Sequence, residues 1–258
     1  MKIQILLILT LLVGCAAQRT REYDIPRSET GMDGVPERIT IDHGPFKILY
    51  NTKRRLPELV SYELTAEHLK AKVGKRSNKF IVDPLLMEQN IPFVAPSEYT
   101  HSGYDRGHMA PSADFLWNQN ANDSTFVMSN MAPQTPNLNR DSWKKLEDKV
   151  RRWACGEGKV MVITGPVLIA HLPKLKSGLE IPQKFFKIII DETPPMKVIS
   201  FIYDQDDHGD MLAKNQTPLK DIEVATGIAF NADFPELKNE KIRLPAAENE
   251  WKEADCEN

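Results

Sequence analysis

The densest chemistry in this chain is Asp105-Arg106-Gly107-His108, which runs straight into Met109-Ala110-Pro111. An imidazole in such a place can take a proton from water near neutral pH. The guanidinium of Arg106 beside it can hold a phosphate through paired hydrogen bonds. Further along, Asn139 offers an amide oxygen to a hard divalent cation such as Mg²⁺, which takes few protein ligands and keeps several waters. Together these groups suit hydrolysis of a phosphodiester, in which a cation offsets charge on the departing oxygen while the histidine deprotonates the incoming water. Nothing in this set reads a base edge, which predicts weak sequence preference and activity on DNA and RNA alike. If neutral His108 is the base, the rate should rise as pH climbs through the ordinary histidine range.

These groups need a rigid support, and the clearest is a helix predicted over Ser142–Trp153. Trp143, Leu146, Val150 and Trp153 recur at helical spacing and form one apolar stripe. At about 100° per residue, Glu147 falls roughly 40° from Trp143, on the flank of that stripe. Arg151 is its i+4 neighbour, so a half-buried carboxylate beside a guanidinium is expected there. From Asn139 to Trp153 six Lys or Arg residues stand against three acids, a local basic field that the whole-chain charge of −3 conceals. Plainer readings exist for each residue. Asn139 suits a helix N-cap, Glu147 and Arg151 an ordinary surface pair, and Arg76, in its basic loop, a solvated charge. His43, His68, His101, His171 and His208 show no metal-ligand spacing and read as structural or surface residues.

The chain's 258 residues, 41% hydrophobic and 27% charged, are ordinary for a globular protein with a sizeable core. Met1-Lys2 and the apolar run Ile3 to Val13 read as an export signal, too short to span a bilayer. The run closes on Leu12-Val13-Gly14-Cys15, which is similar to the lipobox of bacterial lipoproteins. That similarity implies removal of residues 1–14, a lipid on Cys15 and anchoring in the cell envelope, with Ala16 compatible with the outer membrane, facing periplasm or exterior. A plain secretory signal with an incidental cysteine is the alternative. Residues 15–37 read as a polar tether, 38–245 as the folded domain and 246–258 as an acidic, frayed tail. Strands are predicted at 38–42, 46–50, 59–64 (after a break at Pro57), 159–163, 185–190 and 198–203, with a turn at 191–195 joining the last two as a hairpin. A short helix over 219–225 should stop at Gly227. Export permits a bridge between Cys155 and Cys256, which their spacing alone leaves open.

The string Tyr104 to Pro111 resembles the signature of the DNA/RNA non-specific endonucleases, the ββα-metal nucleases. Further stretches match in the same order: Phe126 to Gln134, Asn137 to Trp143, Leu146-Glu147, Thr164-Gly165-Pro166, Ile181-Pro182 with Phe185-Phe186-Lys187, and Ile222-Glu223 with Thr226-Gly227. The resemblance spans about residues 45 to 230 and implies an α+β fold, a central, mostly antiparallel sheet flanked by helices. It implies a metal-dependent endonuclease with DNA and RNA as partners, Mg²⁺ (or Mn²⁺ or another divalent cation) as cofactor, and 5′-phosphate products. By this resemblance His108 is the general base, Asn139 the direct metal ligand and Glu147 the residue that positions the ion's waters. Arg106, Arg76 and Arg151 correspond to arginines that bind phosphate or support activity, and Asp105 supports the site. Two other readings share parts of this logic: an envelope lipoprotein that binds without cutting, and a phosphodiesterase for a small substrate. Oligomeric state is not legible.

Overall fold

The structure, a computed structural model, describes residues 35–230, 234–239 and 246–256. The leader 1–14, Cys15 and nearly all of the tether lie outside the described residues. The fold is α+β. Six strands make one antiparallel sheet in the order β1 (Arg38–Asp42), β2 (Lys47–Asn51), β3 (Leu56–Thr65), β6 (Lys159–Pro166), β7 (Lys184–Asp191) and β8 (Lys197–Asp204). A separate two-stranded hairpin pairs β4 (Asp105–His108) with β5 (Met131–Gln134). The helices are α1 (Ala66–Lys70), α2 (Pro84–Glu88), α3 (Gln119–Ser124), α4 (Trp143–Glu157), α5 (Leu212–Asn215) and α6 (Leu219–Thr226).

The two-residue period of β7 divides the core. Phe185 and Ile189 face one layer with Trp143, Leu146, Val150 and Trp153 of α4, the stripe predicted from spacing. Phe186, Ile188 and Ile190 face the other, with Leu219 and Ile222 of α6. Gly227, at φ +71°, takes the left-handed conformation that ends α6.

Three expectations need correction. Pro57 does not break β3; the strand runs through it, and a register irregularity at Leu49/Tyr50 absorbs the mismatch with β2. Residues 35–37, assigned to the tether, already belong to the domain: Val35 packs on the core and the Pro36 carbonyl accepts from Thr52 Oγ1 at 2.8 Å. The acidic tail is not frayed over its described part. Ala246 N donates to the Val198 carbonyl, Trp251 is buried against Trp153, and Cys256 is bonded to Cys155 at the end of α4. Gly156 admits this strap, since a Cβ there would lie 2.2 Å from the Lys252 carbonyl oxygen. The bridge left open by the sequence is present.

Candidate active site

The signature residues form β4, and their pairing with β5 sets His108 opposite Met131. Neither strand was predicted, because four-residue strands rich in Gly, Pro and charge carry no alternation. A buried amide fixes the exit from β4. Asn130 Oδ1 accepts from Ala110 N (2.9 Å) and its Nδ2 donates to the carbonyls of Ala110 (3.0 Å) and Thr125 (2.8 Å). Gly107 is required by close approach: a Cβ there would lie 2.2 Å from Oε1 of the fully buried Gln134.

His108 is 8% exposed, with its ring against Phe80 (5.6 Å between centroids) and Phe126 (4.9 Å). Burial, helped by the positive charge of Arg76 and opposed by a hydrogen bond to the Arg106 backbone, lowers its pKa to about 3. The imidazole is therefore neutral across the physiological range, and its Nε2 is buried without a hydrogen-bond partner. Nε2 of the neutral ring carries a free lone pair and is the nitrogen that can accept a proton, and the same burial makes it a weaker base than a free imidazole.

Asn139 lies in a π-helical turn, Leu138–Ser142, that runs directly into α4, so it is not the N-cap of the plainer reading. Such one-turn π segments often occur at functional sites. Asn139 Nδ2 donates to Asp105 Oδ2 at 2.9 Å, which leaves the amide oxygen as the end free to bind a cation. The same carboxylate takes two bonds from Arg140, Nε at 2.8 Å and Nη2 at 2.6 Å. Burial opposes ionisation of Asp105, yet the bonds from Arg140 and Asn139 hold its pKa below the usual carboxylate range. Asp105 thus clamps the start of α4 to β4, the supporting role implied by the family resemblance. The loop after β8 holds the same region: Gln205 Nε2 donates to the Pro133 carbonyl, its Oε1 accepts from Thr135 N, and Ser142 Oγ donates to the Asp207 carbonyl.

Glu147 and Arg151 share the flank of α4 as predicted, but not as a hydrogen-bonded pair. Arg151 donates to Asp114 Oδ1 at 2.8 Å and to Asp148. Asp114, buried and bonded to the Tyr62 hydroxyl at 2.8 Å, is a supporting residue that sequence reasoning missed, because nothing near it repeats. Burial pushes the Glu147 carboxyl up to about 7 against the pull of Lys187 and Arg151. Lys187, the second residue missed, is buried to 1% on β7.

The arginines differ in their freedom. Arg106 lies over the rings of Phe80 (4.9 Å) and Tyr99 (5.8 Å) and gives Nη2 to the Pro96 carbonyl at 2.8 Å, so part of its fork is already engaged. Arg76 is exposed, stacks over Phe126 at 5.1 Å and donates to Asn78. The same Phe126 ring packs against His108, so Arg76 lies one ring away from the imidazole.

The basic field assigned to 139–153 is largely neutralised. All six cations are ion-paired: Arg140 with Asp105, Lys144 with Asp148, Lys145 with Asp141, Lys149 with Glu248 and Glu253, Arg151 with Asp114 and Asp148, and Arg152 with Glu253 and Asp255.

A strand pair that presents a neutral buried histidine, tied through Asp105 to a π-helical turn whose Asn139 leaves its amide oxygen free, suits hydrolysis. The family described as DNA/RNA non-specific endonuclease matches residues 26–237. The mitochondrial nuclease 1 of Schizosaccharomyces pombe is 29% identical over 85% of this chain and 75% of its own length. A nuclease of Nostoc sp. is 32% identical over 64% of this chain and 59% of its own. Among solved structures, an EndoG chain crystallised in complex with EndoGI matches with a TM-score of 0.66 at 28% identity, covering 76% of this chain and 86% of that one. This chain belongs to the DNA/RNA non-specific endonuclease family and is a nucleic-acid-hydrolysing enzyme.

Proposed function

We propose that the protein is a divalent-metal-dependent endonuclease that cuts DNA and RNA by attack of water on a phosphodiester, with 5′-phosphate products. The observation that carries this reading is the joint placement of a neutral, unpartnered His108 Nε2 and an Asn139 amide whose nitrogen is committed to Asp105. These residues fit a hard cation such as Mg²⁺, held directly by the Asn139 oxygen alone. No cluster of three His, Cys, Asp or Glu competes for it among the described residues. When bound, the ion supplies positive charge to the phosphate and the leaving oxygen.

The chain's own groups do the rest. His108 takes the proton of the attacking water at Nε2. Glu147 would accept hydrogen bonds from water held at such a cation and so orient it. Arg76 and the free edge of Arg106 grip the phosphate, while Arg151, tied to Asp114, steadies the Glu147 flank. Attachment of the enzyme to the bacterial cell envelope through a lipid on Cys15 is the accompanying proposal, supported by the order of apolar run, small residues and cysteine.

The test is incubation of protein lacking residues 1–15 with supercoiled plasmid and with RNA, in Mg²⁺ and in EDTA, beside its His108→Ala variant. Metal-dependent loss of both polymers, absent in the variant, is expected. Cleavage by the variant at the parental rate would remove His108 as base, and intact polymers throughout would point to binding or to a small phosphodiester substrate.

A further inference from the structure

Lys187 is a buried cation close to the site that this mechanism leaves unused. It lies between Phe185 and Ile189 on the face of β7 that packs under α4. Its ammonium sits over the Trp143 ring at 4.6 Å and makes no hydrogen bond. Glu147, four residues after Trp143, is its neighbour one turn on and about 40° round the helix. The charged groups around the pair are Asp148 and Arg151 of α4 and Asp114 of the 112–115 turn, with the Tyr62 hydroxyl of β3 bonded to Asp114. Arg151 hydrogen-bonds to Asp114 and Asp148 and is the second favourable charge on Glu147, after Lys187. Among the charges that favour ionised Glu147, Lys187 is the strongest, and Glu147 is in turn the strongest that favours ionised Lys187. A buried lysine without a hydrogen bond is costly to keep in a core that could hold Met or Leu there.

We propose that Lys187 is a positioning residue of the active site, whose buried ammonium is the counter-charge that holds the Glu147 carboxylate in place from beneath α4. The pair works through charge rather than through a hydrogen bond, and because the ammonium is buried, loss of its partner leaves its desolvation cost without compensation. The inference rests on the role given to Glu147 above.

A double-mutant cycle tests it with wild type, Lys187→Met, Glu147→Gln and the double variant, plus Lys187→Arg. Lys187→Met is expected to lower kcat on plasmid by at least about 10-fold with KM unchanged, and in the Glu147→Gln background by less than about 3-fold. Lys187→Arg, which keeps the charge, should fall between wild type and Lys187→Met. The same cycle on urea unfolding in EDTA reads the pair without any reaction: Lys187→Met should lower the midpoint in wild type and not in the Glu147→Gln background. Losses that multiply, equal effects in both unfolding backgrounds, or Lys187→Arg as impaired as Lys187→Met would each overturn the proposal. If Lys187→Met alone does not fold, the double variant must, because it leaves no charge unpaired; failure of both overturns it too. Undiminished cleavage by Glu147→Gln would instead refute the role of Glu147, while the unfolding cycle still decides the pair.

Discussion

Replacing His108 by Gln should change how the fold responds to acid, and the size follows from its burial. In the unfolded chain the imidazole titrates near its ordinary 6.5, whereas in the folded protein its pKa is about 3. A folded pKa below the unfolded one means that unfolding takes up a proton at any pH between the two. Stability is then intact above 6.5 and is lost progressively as pH falls towards 3. At pH 5 the loss from this one group is about 2 kcal/mol, from about 1.4 kcal/mol for each of the 1.5 pH units below 6.5. The assay is urea unfolding in EDTA at pH 8 and pH 5 for wild type and His108→Gln. Carboxylates such as Asp83, Asp105 and Asp148 are held low in both proteins, so their contribution cancels in the difference. Wild type should lose about 2 kcal/mol more than the variant on going from pH 8 to pH 5. Equal losses would show that His108 is not buried in neutral form, and the argument for a ready base would fall with it. The same burial revises the rate expectation drawn from the sequence. With His108 neutral from pH 5 to 8, kcat/KM should show no histidine inflection there, and any inflection near neutrality belongs to Glu147, pushed up to about 7.

Three further outcomes are expected. The Cys155–Cys256 bridge closes a separation of 101 residues, so its removal by Cys155→Ala and Cys256→Ala should cost at most about 4.7 kcal/mol by the loop-entropy rule, read as a lower urea midpoint. Asp105→Asn, which weakens the clamp on Asn139 and Arg140, should raise the Mg²⁺ concentration for half-maximal cleavage about 10- to 100-fold with the fold retained; an unchanged requirement would deny Asp105 its supporting role. Asp114→Asn leaves Arg151 half-buried with a weakened partner, and should both destabilise the protein by about 3 kcal/mol and lower kcat; full activity in the variant would mean Arg151 is positioned by Asp148 alone.

How far the sequence reached follows from which signals have a period. The α4 stripe, the six sheet strands and the Gly227 stop are repeats or breaks of repeats, and each was legible to within a few residues. The β4–β5 pair was not, because its four-residue strands have no alternation and the exit from β4 is fixed by the buried Asn130 amide on Ala110, twenty residues away. His108, Asn139 and Glu147 could be named from the chemistry of their types and from a family resemblance. Their supports, Asp114 and Lys187, could not, since a buried acid or lysine looks like any surface charge until strand parity and helix flank are known.

Ion pairing also relocates the electrostatic argument about substrate. With every cation of 139–153 paired, and two of those on the tail's acids, that helix has little free charge with which to draw a polyanion. Exposed cations without an ion pair among the described residues stand on the loop after α1: Lys72, Lys75, Arg76 and Lys79. That loop is held to the domain by its backbone, with Gly74 N on the Leu116 carbonyl, Lys75 N on Gln119 Oε1 and Ser77 N on Asn122 Oδ1. Lys72, Lys75 and Lys79 are thus left to solvent while the path of the loop is fixed, and it leads through Phe80 to the His108 ring. A chain of net charge −3 can still attract nucleic acid if its free positive charge is gathered in one strip that ends at the base. Charge removal should therefore act differently at the two places. Lys72→Ala with Lys75→Ala should raise KM and flatten its salt dependence, whereas Lys144→Ala with Lys145→Ala should leave both nearly unchanged. Equal effects from the two pairs would return the substrate path to α4.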